Sequence, residues 1–273
     1  MRHKQRLDVA LVQRGLAPSR ERAQALILAG AVFLNNQRAD KASLMVAEGD
    51  AIEARGAPHP YVSRGGLKLE KALDVFQVNA AGVAAMDIGA STGGFTDVLL
   101  RAGAEKVYAI DVGYGQLDWR LRGDPRVVVM ERTNARYITP GQFPLPPTLC
   151  VMDVSFISIR LILPAAGRVM GGKGRFITLV KPQFEAGRDR VGKKGVVRDA
   201  AVHLEVLRGL LAFAEGMGLS VQGADFSPVA GPEGNIEFLF DLLPVESANS
   251  CITVSELEEI VSKAHKKFGH DLQ

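Results

Sequence analysis

The first 54 residues alternate short apolar stretches with turn signals. Leu7, Ala10 and Leu11 fall on one helical face, and Gly15 can end that helix. Ser19 suits the N-cap of a second helix, Arg20–Ala29, whose Ala23, Leu26 and Ile27 face inward before Gly30 stops it. Ala31–Leu34 reads as a short strand, Asn35-Asn36 as a turn and Asp50–Glu53 as another strand. A module of this length is close to the smallest that folds alone. Ala54–Pro60 has the Gly and Pro content of a linker, after which the pattern changes. A helix at Arg64–Phe76 is followed by apolar runs at Ala84–Ile88, Val107–Val112, Val127–Met130, Leu149–Val154 and Phe176–Val180, with helices or loops between them. A long helix at Ala200–Met217 precedes two last strands, Leu219–Asp225 and Ile236–Leu243. Ser255-Glu256-Leu257-Glu258 reads as a capping box opening a C-terminal helix. Alternation of this kind predicts an α/β domain over 61–273, its parallel sheet covered on both faces, after a small α+β module over 1–60.

Composition changes this picture in one respect. Of 273 residues, 47% are hydrophobic and 23% charged, which suits a globular chain with a sizeable core. The formal net charge of +3 lies wholly in residues 1–60, which hold nine Lys/Arg against six Asp/Glu. Excess positive charge at one end suggests a polyanionic partner, although a solvated surface would look the same. Cys150 and Cys251 have no metal-ligand spacing and read as reduced thiols. No apolar core of a signal peptide follows the charged N-terminus and no uncharged run approaches a membrane span, so the expected location is cytoplasmic.

Met86-Asp87-Ile88-Gly89-Ala90-Ser91-Thr92-Gly93-Gly94-Phe95 runs from a strand into a helix. Small residues there let the backbone approach a ligand, and the helix N-terminus adds free N–H donors. The same residues could form no more than a tight turn. The loop lacks the glycine spacing of a dinucleotide site, which favours S-adenosylmethionine over a nicotinamide cofactor. Its candidate contacts are Asp87, Gly89, Ala90, Ser91, Gly93, Gly94 and Phe95. Asp111 and Val112 end the next strand, where an acid can bind ribose hydroxyls in either cofactor class. Asn134, after the third strand, can meet an adenine edge or simply close a turn.

Lys68, Asp153, Lys181 and Glu237 form a second group of candidates. Asp153 and Lys181 lie at strand ends, Glu237 near the start of an apolar run, and Lys68 on the helix before the first strand. A charge at the carboxyl end of a parallel strand faces the ligand crevice, and a charge inside an apolar strand needs a partner.

Ser63-Arg64-Gly65-Gly66-Leu67-Lys68-Leu69, Asp87–Phe95, Val151–Phe156, Val180–Glu185 and Asn235–Phe238 together resemble the FtsJ-like ribose 2′-O-methyltransferases, and within them the TlyA group. Arg6-Leu7-Asp8, Gly15-Leu16, Ser19-Arg20, Ala23, Leu26-Ile27, Gly30 and Asn35 resemble the small RNA-binding module named after ribosomal protein S-four. The two resemblances cover nearly the whole chain. They imply a Rossmann-like methyltransferase sheet, mostly parallel with an antiparallel last strand. They also imply a Lys–Asp–Lys–Glu catalytic set at Lys68, Asp153, Lys181 and Glu237. The implied reaction is methyl transfer from S-adenosylmethionine to a ribose 2′-hydroxyl of ribosomal RNA, with cytidine as the nucleoside. The sulfonium is already a good electrophile, so no metal is required.

The weak participant is the hydroxyl, which needs a base within hydrogen-bond reach. Lys181 is the expected base, activated by burial beside a second cation, and Lys68 the group that steadies charge on the oxygen. Asp153 and Glu237 would orient the two amines. RNA contacts are expected from Arg6, Ser19, Arg20 and Arg22 in the first module. Further contacts are expected from Lys193, Lys194 and Arg198 in a basic stretch, where a merely solvated loop is the alternative. Three other functions compete. A small-molecule or DNA methyltransferase is opposed by Asp153-Val154-Ser155-Phe156, which does not match the Asp/Asn-Pro-Pro-aromatic motif usual in DNA and base amino-methylation. A membrane-active hemolysin, suggested by a name used in the group, would need an amphipathic or spanning segment, and none is evident. An RNA-binding assembly factor with an inactive domain is opposed by the intact four-residue set.

Overall fold

The computed structural model describes residues 4–17, 19–28, 30–35, 37–54, 59–192, 194–244 and 250–269. The chain divides into two compact units, Met1–Pro60 and Tyr61–Gln273. Residues 55–58 of the expected linker lie outside the described residues.

The first unit contains β1 (Lys4–Arg6), α1 (Leu7–Gln13), α2 (Arg20–Leu28), β2 (Val32–Leu34), β3 (Gln37–Arg38), β4 (Met45–Ala47) and β5 (Ile52–Ala54). Strands β1 and β4 pair antiparallel, and β2 lies between β3 and β5. Leu7, Ala10 and Leu11 from α1 pack on Ala23 and Ile27 from α2, closed by Val32 and Val46. The Ser19 hydroxyl accepts the Arg22 N–H at 3.2 Å, the bond expected of an N-cap. Strands β1, β3 and β4 are additions to the elements expected from the sequence. At two or three residues each, they are too short to show an alternation.

The second unit contains α3 (Gly65–Val75), β6 (Ala84–Ile88), α4 (Gly94–Arg101), β7 (Lys106–Ile110), α5 (Trp119–Arg122), β8 (Val127–Met130) and β9 (Leu149–Met152). It continues with α6 (Leu163–Val169), β10 (Arg175–Val180), α7 (Pro182–Glu185), α8 (Ala200–Gly216), β11 (Leu219–Phe226), β12 (Phe238–Pro244) and α9 (Val254–Phe268). One seven-stranded sheet has the order β11-β12-β10-β9-β6-β7-β8. The five strands from β10 to β8 are parallel, whereas β12 runs antiparallel to both β10 and β11.

Alternation along the parallel strands divides the core. Met86, Ile88, Tyr108, Ile110, Cys150, Met152, Phe176 and Val180 face α6, α8 and α9. Ala85, Val107, Ala109, Leu149, Val151, Ile177 and Leu179 face α3, α4 and α5. Apart from Asp87 in β6 and Thr178 in β10, the buried positions of both registers are apolar, so the strands read as near-continuous hydrophobic runs, as a sheet buried on both faces requires. Among the described residues no helix is long and apolar enough to cross a membrane.

Four boundaries differ from expectation with a consequence for the site or the core. Strand β7 stops at Ile110 and β9 at Met152, so Asp111, Val112 and Asp153 lie beyond the ladder rather than inside it. Strand β12 starts at Phe238, so Glu237 precedes it. The C-terminal helix is capped by Thr253, not Ser255. The Thr253 hydroxyl accepts the Glu256 N–H at 3.3 Å while the Glu256 carboxylate accepts the Thr253 N–H at 2.7 Å. That start turns Leu257, Val261, Ala264 and Phe268 toward the core.

Candidate active site

Chain direction assembles the site. In a parallel sheet the residues that follow each strand collect along one edge. Asp153 and Lys181 arrive this way after β9 and β10. The antiparallel register pairs Val180 with Phe238, so the residue preceding β12 comes to the same edge as the residue following β10. Glu237 thereby joins the group from the opposite chain direction. Helix α3 supplies Lys68 from above.

These four side chains make one connected cluster. Lys68 Nζ lies 2.6 Å from Glu237 Oε2 and 3.5 Å from Asp153 Oδ2. Lys181 Nζ lies 2.6 Å from Asp153 Oδ1 and donates to Ser155 Oγ at 2.9 Å. Lys68, Lys181 and Glu237 are buried. Two ammonium groups and two carboxylates balance, which is what makes such burial tolerable. Burial alone would lower the Lys68 pKa, but Asp153 and Glu237 outweigh it, and the net shift is upward. Burial opposes ionisation of Asp153, yet Lys68 and Lys181 hold its pKa below the ordinary value. The expected direct repulsion between the two amines is therefore offset, because Asp153 offers one oxygen to each.

The glycine loop lies beside this cluster. Gly89 has φ +86°, and a Cβ there would sit 2.5 Å from the Asp153 carbonyl oxygen. Only glycine allows the loop to pass so close to the end of β9. A Cβ on Gly94 would lie 2.4 Å from Ser63 Oγ and 2.9 Å from the Gly66 nitrogen, so its absence lets α4 start against α3. Gly93 caps α4 in the left-handed region, and Ala90 is buried, its N–H donated to the Ile110 carbonyl at 3.1 Å. The Asp111 carboxylate is held rigidly: Oδ2 accepts the Ser91 N–H at 2.8 Å and Oδ1 the Gly113 N–H at 2.7 Å. It sits at the tip of β7, where a pair of ribose hydroxyls could be gripped. Val112 is exposed beside it.

Two loop residues face away from solvent. Phe95 is a core side chain in the layer with Leu99. Asp87 is fully buried beneath the loop, its Oδ2 accepting the Thr96 hydroxyl at 2.7 Å and its Oδ1 without a hydrogen-bond partner among the described residues. Burial pushes its pKa up to about 7, against the Thr96 bond, which lowers it. Asn134 Oδ1 accepts the Arg136 N–H at 3.1 Å and caps the short turn Ala135–Tyr137.

Several contributors escape a reading of the sequence. Ser155 holds Lys181. Glu185 ties the loop after β9 to the turn after β10, accepting the Ser158 hydroxyl at 2.7 Å and the Ile159 N–H at 2.8 Å. Burial raises the Glu185 pKa, against those two bonds. Phe156 stands 91% exposed with φ +65°, its ring 5.2 Å from that of Phe184. An exposed aromatic in a strained backbone conformation, three residues beyond Asp153, is costly unless it meets a ligand. The motifs Val151–Phe156 and Val180–Glu185 mark these segments, but a non-periodic loop carries no signal for the individual contacts.

The remaining candidates divide between the two units. Arg6, Ser19, Arg20 and Arg22 belong to the first unit, where Arg22 Nη2 donates to the His59 carbonyl at 2.6 Å. Lys193 lies outside the described residues. Lys194 and Arg198 line a cavity of about 350 Å³ with Arg190, Gly192, Val196 and Asp199.

Family models, relatives and a solved structure all resemble this chain. Residues 61–242 match the family model described as FtsJ-like methyltransferase, and residues 5–52 match the S4 domain. The Bacillus subtilis protein YqxC, provisionally named an rRNA methyltransferase, is 50% identical over 266 residues, covering 96% of this chain and 95% of its own. The 16S/23S rRNA (cytidine-2′-O)-methyltransferase TlyA of Mycobacterium tuberculosis is 42% identical over 265 residues, covering 97% of this chain and 98% of its own. A solved structure from Streptococcus thermophilus, provisionally named a hemolysin, superposes with a TM-score of 0.79 at 46% identity over 99% of both chains.

Proposed function

Because the chain belongs to the FtsJ-like methyltransferase family, we propose that it methylates a ribose 2′-hydroxyl of ribosomal RNA, at cytidine, in the cytoplasm. The observation that carries this reading is the continuous Lys68–Asp153–Lys181–Glu237 cluster at the strand ends beside the glycine loop. The 42%-identical TlyA enzyme, named for this reaction, supports the choice of substrate.

The residues present fit S-adenosylmethionine. The loop backbone at Gly89–Gly94 gives close approach, and Asp111 is fixed by two N–H donors to receive ribose hydroxyls. Bound there, the cofactor supplies a methyl group on a sulfonium, which leaves as a neutral thioether. The two amines divide the remaining work by their pairing. Lys68 is held as an ammonium by two carboxylates and steadies the developing negative charge on the 2′-oxygen. Lys181 shares its single carboxylate with Lys68, so it is the amine that can give up its own proton to solvent first and then, as a neutral amine, take the hydroxyl proton. Asp153 and Ser155 aim its Nζ, and Glu237 keeps Lys68 in place. The oxygen–carbon bond forms as the carbon–sulfur bond breaks, and in-line alignment of the three atoms supplies a large part of the rate. Phe156 offers an exposed ring against which the target nucleoside can lie.

RNA is held by Arg6, Arg20 and Arg22, with Ser19 shaping the start of α2, and by Lys193, Lys194 and Arg198. These contacts make affinity strongly salt-dependent.

The test is methylation of ribosomal RNA lacking the modification, with labelled S-adenosylmethionine and nucleoside mass analysis. We expect 2′-O-methylcytidine from the native protein. Lys181→Ala should lose at least ~100-fold in rate while binding the cofactor normally. An undiminished rate in Lys181→Ala would overturn the assignment of the base.

A further inference from the structure

Asp8 is the one carboxylate of the first unit's described residues that is fully buried, at 0% exposure. It stands in the first turn of α1, where the helix dipole favours negative charge. Its oxygens are almost fully engaged. Arg6 grips it with two bonds, Nε to Oδ1 at 3.0 Å and Nη2 to Oδ2 at 3.1 Å. Arg20 Nη2 reaches Oδ2 at 3.1 Å, and Gln24 Nε2 reaches the same oxygen at 2.9 Å. The Val9 N–H adds a bond to Oδ1 at 3.0 Å. The backbone carrying this carboxylate is fixed in turn, because the N–H groups of Leu7 and Asp8 donate to the Leu44 and Ala42 carbonyls.

The two arginines come from different elements, β1 and the start of α2, and are separated by fourteen positions in the sequence. Each keeps a large part of its side chain in solvent, 43% for Arg6 and 54% for Arg20. A single anchored carboxylate thus converges two long, rotamer-rich side chains onto one place while leaving their outer N–H groups free to meet a ligand. Arginine has five donors in a planar fork, so a carboxylate on one edge does not prevent a phosphate on another. The arrangement carries a net charge of +1. The Arg6 bonds, against the cost of burial, hold the Asp8 carboxyl well below its ordinary range, so it stays ionised wherever RNA is intact.

We propose that Asp8 is a positioning residue for RNA binding: it holds Arg6 and Arg20 as a preset pair that engages adjacent backbone phosphates. This rests on the reading above that the two arginines contact RNA. Pre-paying the ordering of both side chains lowers the entropic cost of each phosphate contact.

Simple electrostatics predicts the opposite sign, which makes the proposal sharp. Asp8→Asn removes a buried negative charge from beneath the two arginines, so charge alone would tighten binding. It also puts an amide donor or a weaker acceptor where Arg6, Arg20 and Gln24 now converge, so loss of positioning would weaken binding. The experiment uses the full chain and a duplex RNA of about 20 base pairs lacking any target site, titrated by anisotropy between about 50 and 300 mM KCl. We expect Asp8→Asn to bind about 10-fold more weakly, with the salt slope smaller by about one to two phosphate contacts. In methylation of ribosomal RNA, KM should rise with kcat within twofold.

The Arg6→Ala/Arg20→Ala pair, with and without Asp8→Asn, separates the causes. If the arginine pair binds duplex RNA like the native chain, the contact reading itself has failed. If the arginines matter but Asp8→Asn binds equally or more tightly, positioning is wrong. If Asp8→Asn weakens binding by the same factor in both backgrounds, its role is structural and the proposal falls. Should Asp8→Asn unfold the unit, nitrogen-15 NMR of the native chain decides the matter. The Arg6 Nε–H should exchange with water far more slowly than a free guanidinium, and exchange at the free rate would overturn the proposal.

Discussion

Asp87 gives the most exacting quantitative test of the site's physics. Its carboxyl is fully buried, one oxygen bonded to the Thr96 hydroxyl at 2.7 Å and the other without a hydrogen-bond partner among the described residues. Burial pushes its pKa from 3.8 up to about 7. An acid whose folded pKa is raised costs stability once the unfolded chain has ionised. Between pH 3.8 and about 7 the folded state keeps a proton that the unfolded state has released, so stability falls as pH rises through that window. At ~1.4 kcal/mol per pH unit the full penalty is about 4 kcal/mol, of which about 2.5 kcal/mol develops between pH 5 and pH 8. Asp87→Asn cannot ionise and keeps an acceptor for Thr96. It leaves an amide where Oδ1 was, a constant cost of about 1–2 kcal/mol. Urea unfolding of both chains from pH 5 to pH 8 isolates this group from every other titration. The native chain should lose about 2.5 kcal/mol relative to Asp87→Asn over that range. A difference that stays flat, or that changes in the opposite direction, would refute the idea that Asp87 is a desolvated acid beneath the loop.

Three further outcomes are expected. Glu237→Gln leaves Lys68 facing only Asp153 at 3.5 Å and should cost about 3 kcal/mol in urea unfolding, with activity reduced at least ~10-fold. A loss under ~1 kcal/mol would mean the pair is not held. His203 is buried and touches His265, Nδ1 to Nε2 at 2.8 Å, and burial followed by the His265 charge lowers its pKa to about 4. A base with a depressed folded pKa gains stability as pH rises between about 4 and 6.5, so about 3 kcal/mol should be lost on acidification across that window, and His203→Gln should flatten the curve. At the last helix, Thr253→Ala should cost about 1 kcal/mol in thermal unfolding and Ser255→Ala almost nothing; equal effects would contradict the observed cap.

Legibility in the sequence follows the length of the signal. The long parallel strands, apolar on both faces, are readable from composition alone, and so is the loop that passes from β6 to α4. The four catalytic candidates can be gathered because three of them interrupt or end apolar runs. What fails is local choice between equivalent patterns. Thr253-x-x-Glu256 and Ser255-x-x-Glu258 satisfy the same capping rule, and only packing of Leu257 and Val261 selects the first. Asp87 has the sequence position of a cofactor ligand, whereas its depth beneath the loop makes it a brace for α4. Ser155 and Glu185 act across loops, where no periodicity exists to read. The three short strands of the first unit have no period to display. Asp8 belongs to the Arg6-Leu7-Asp8 motif, yet nothing in the linear chain reveals that Arg20 returns to it.

The antiparallel course of β12 has a consequence for how the enzyme comes into being. During synthesis the ribosome releases Lys68, Asp153 and Lys181 first, and these three alone leave an unbalanced positive charge in a water-poor crevice. Glu237 is delivered only when residues 238–244 pair with β10, across a separation of about sixty positions. Pairing between such distant segments is slow compared with local structure. Neutralising the centre and zipping up that side of the sheet are therefore a single event, and it waits until β12 has been made.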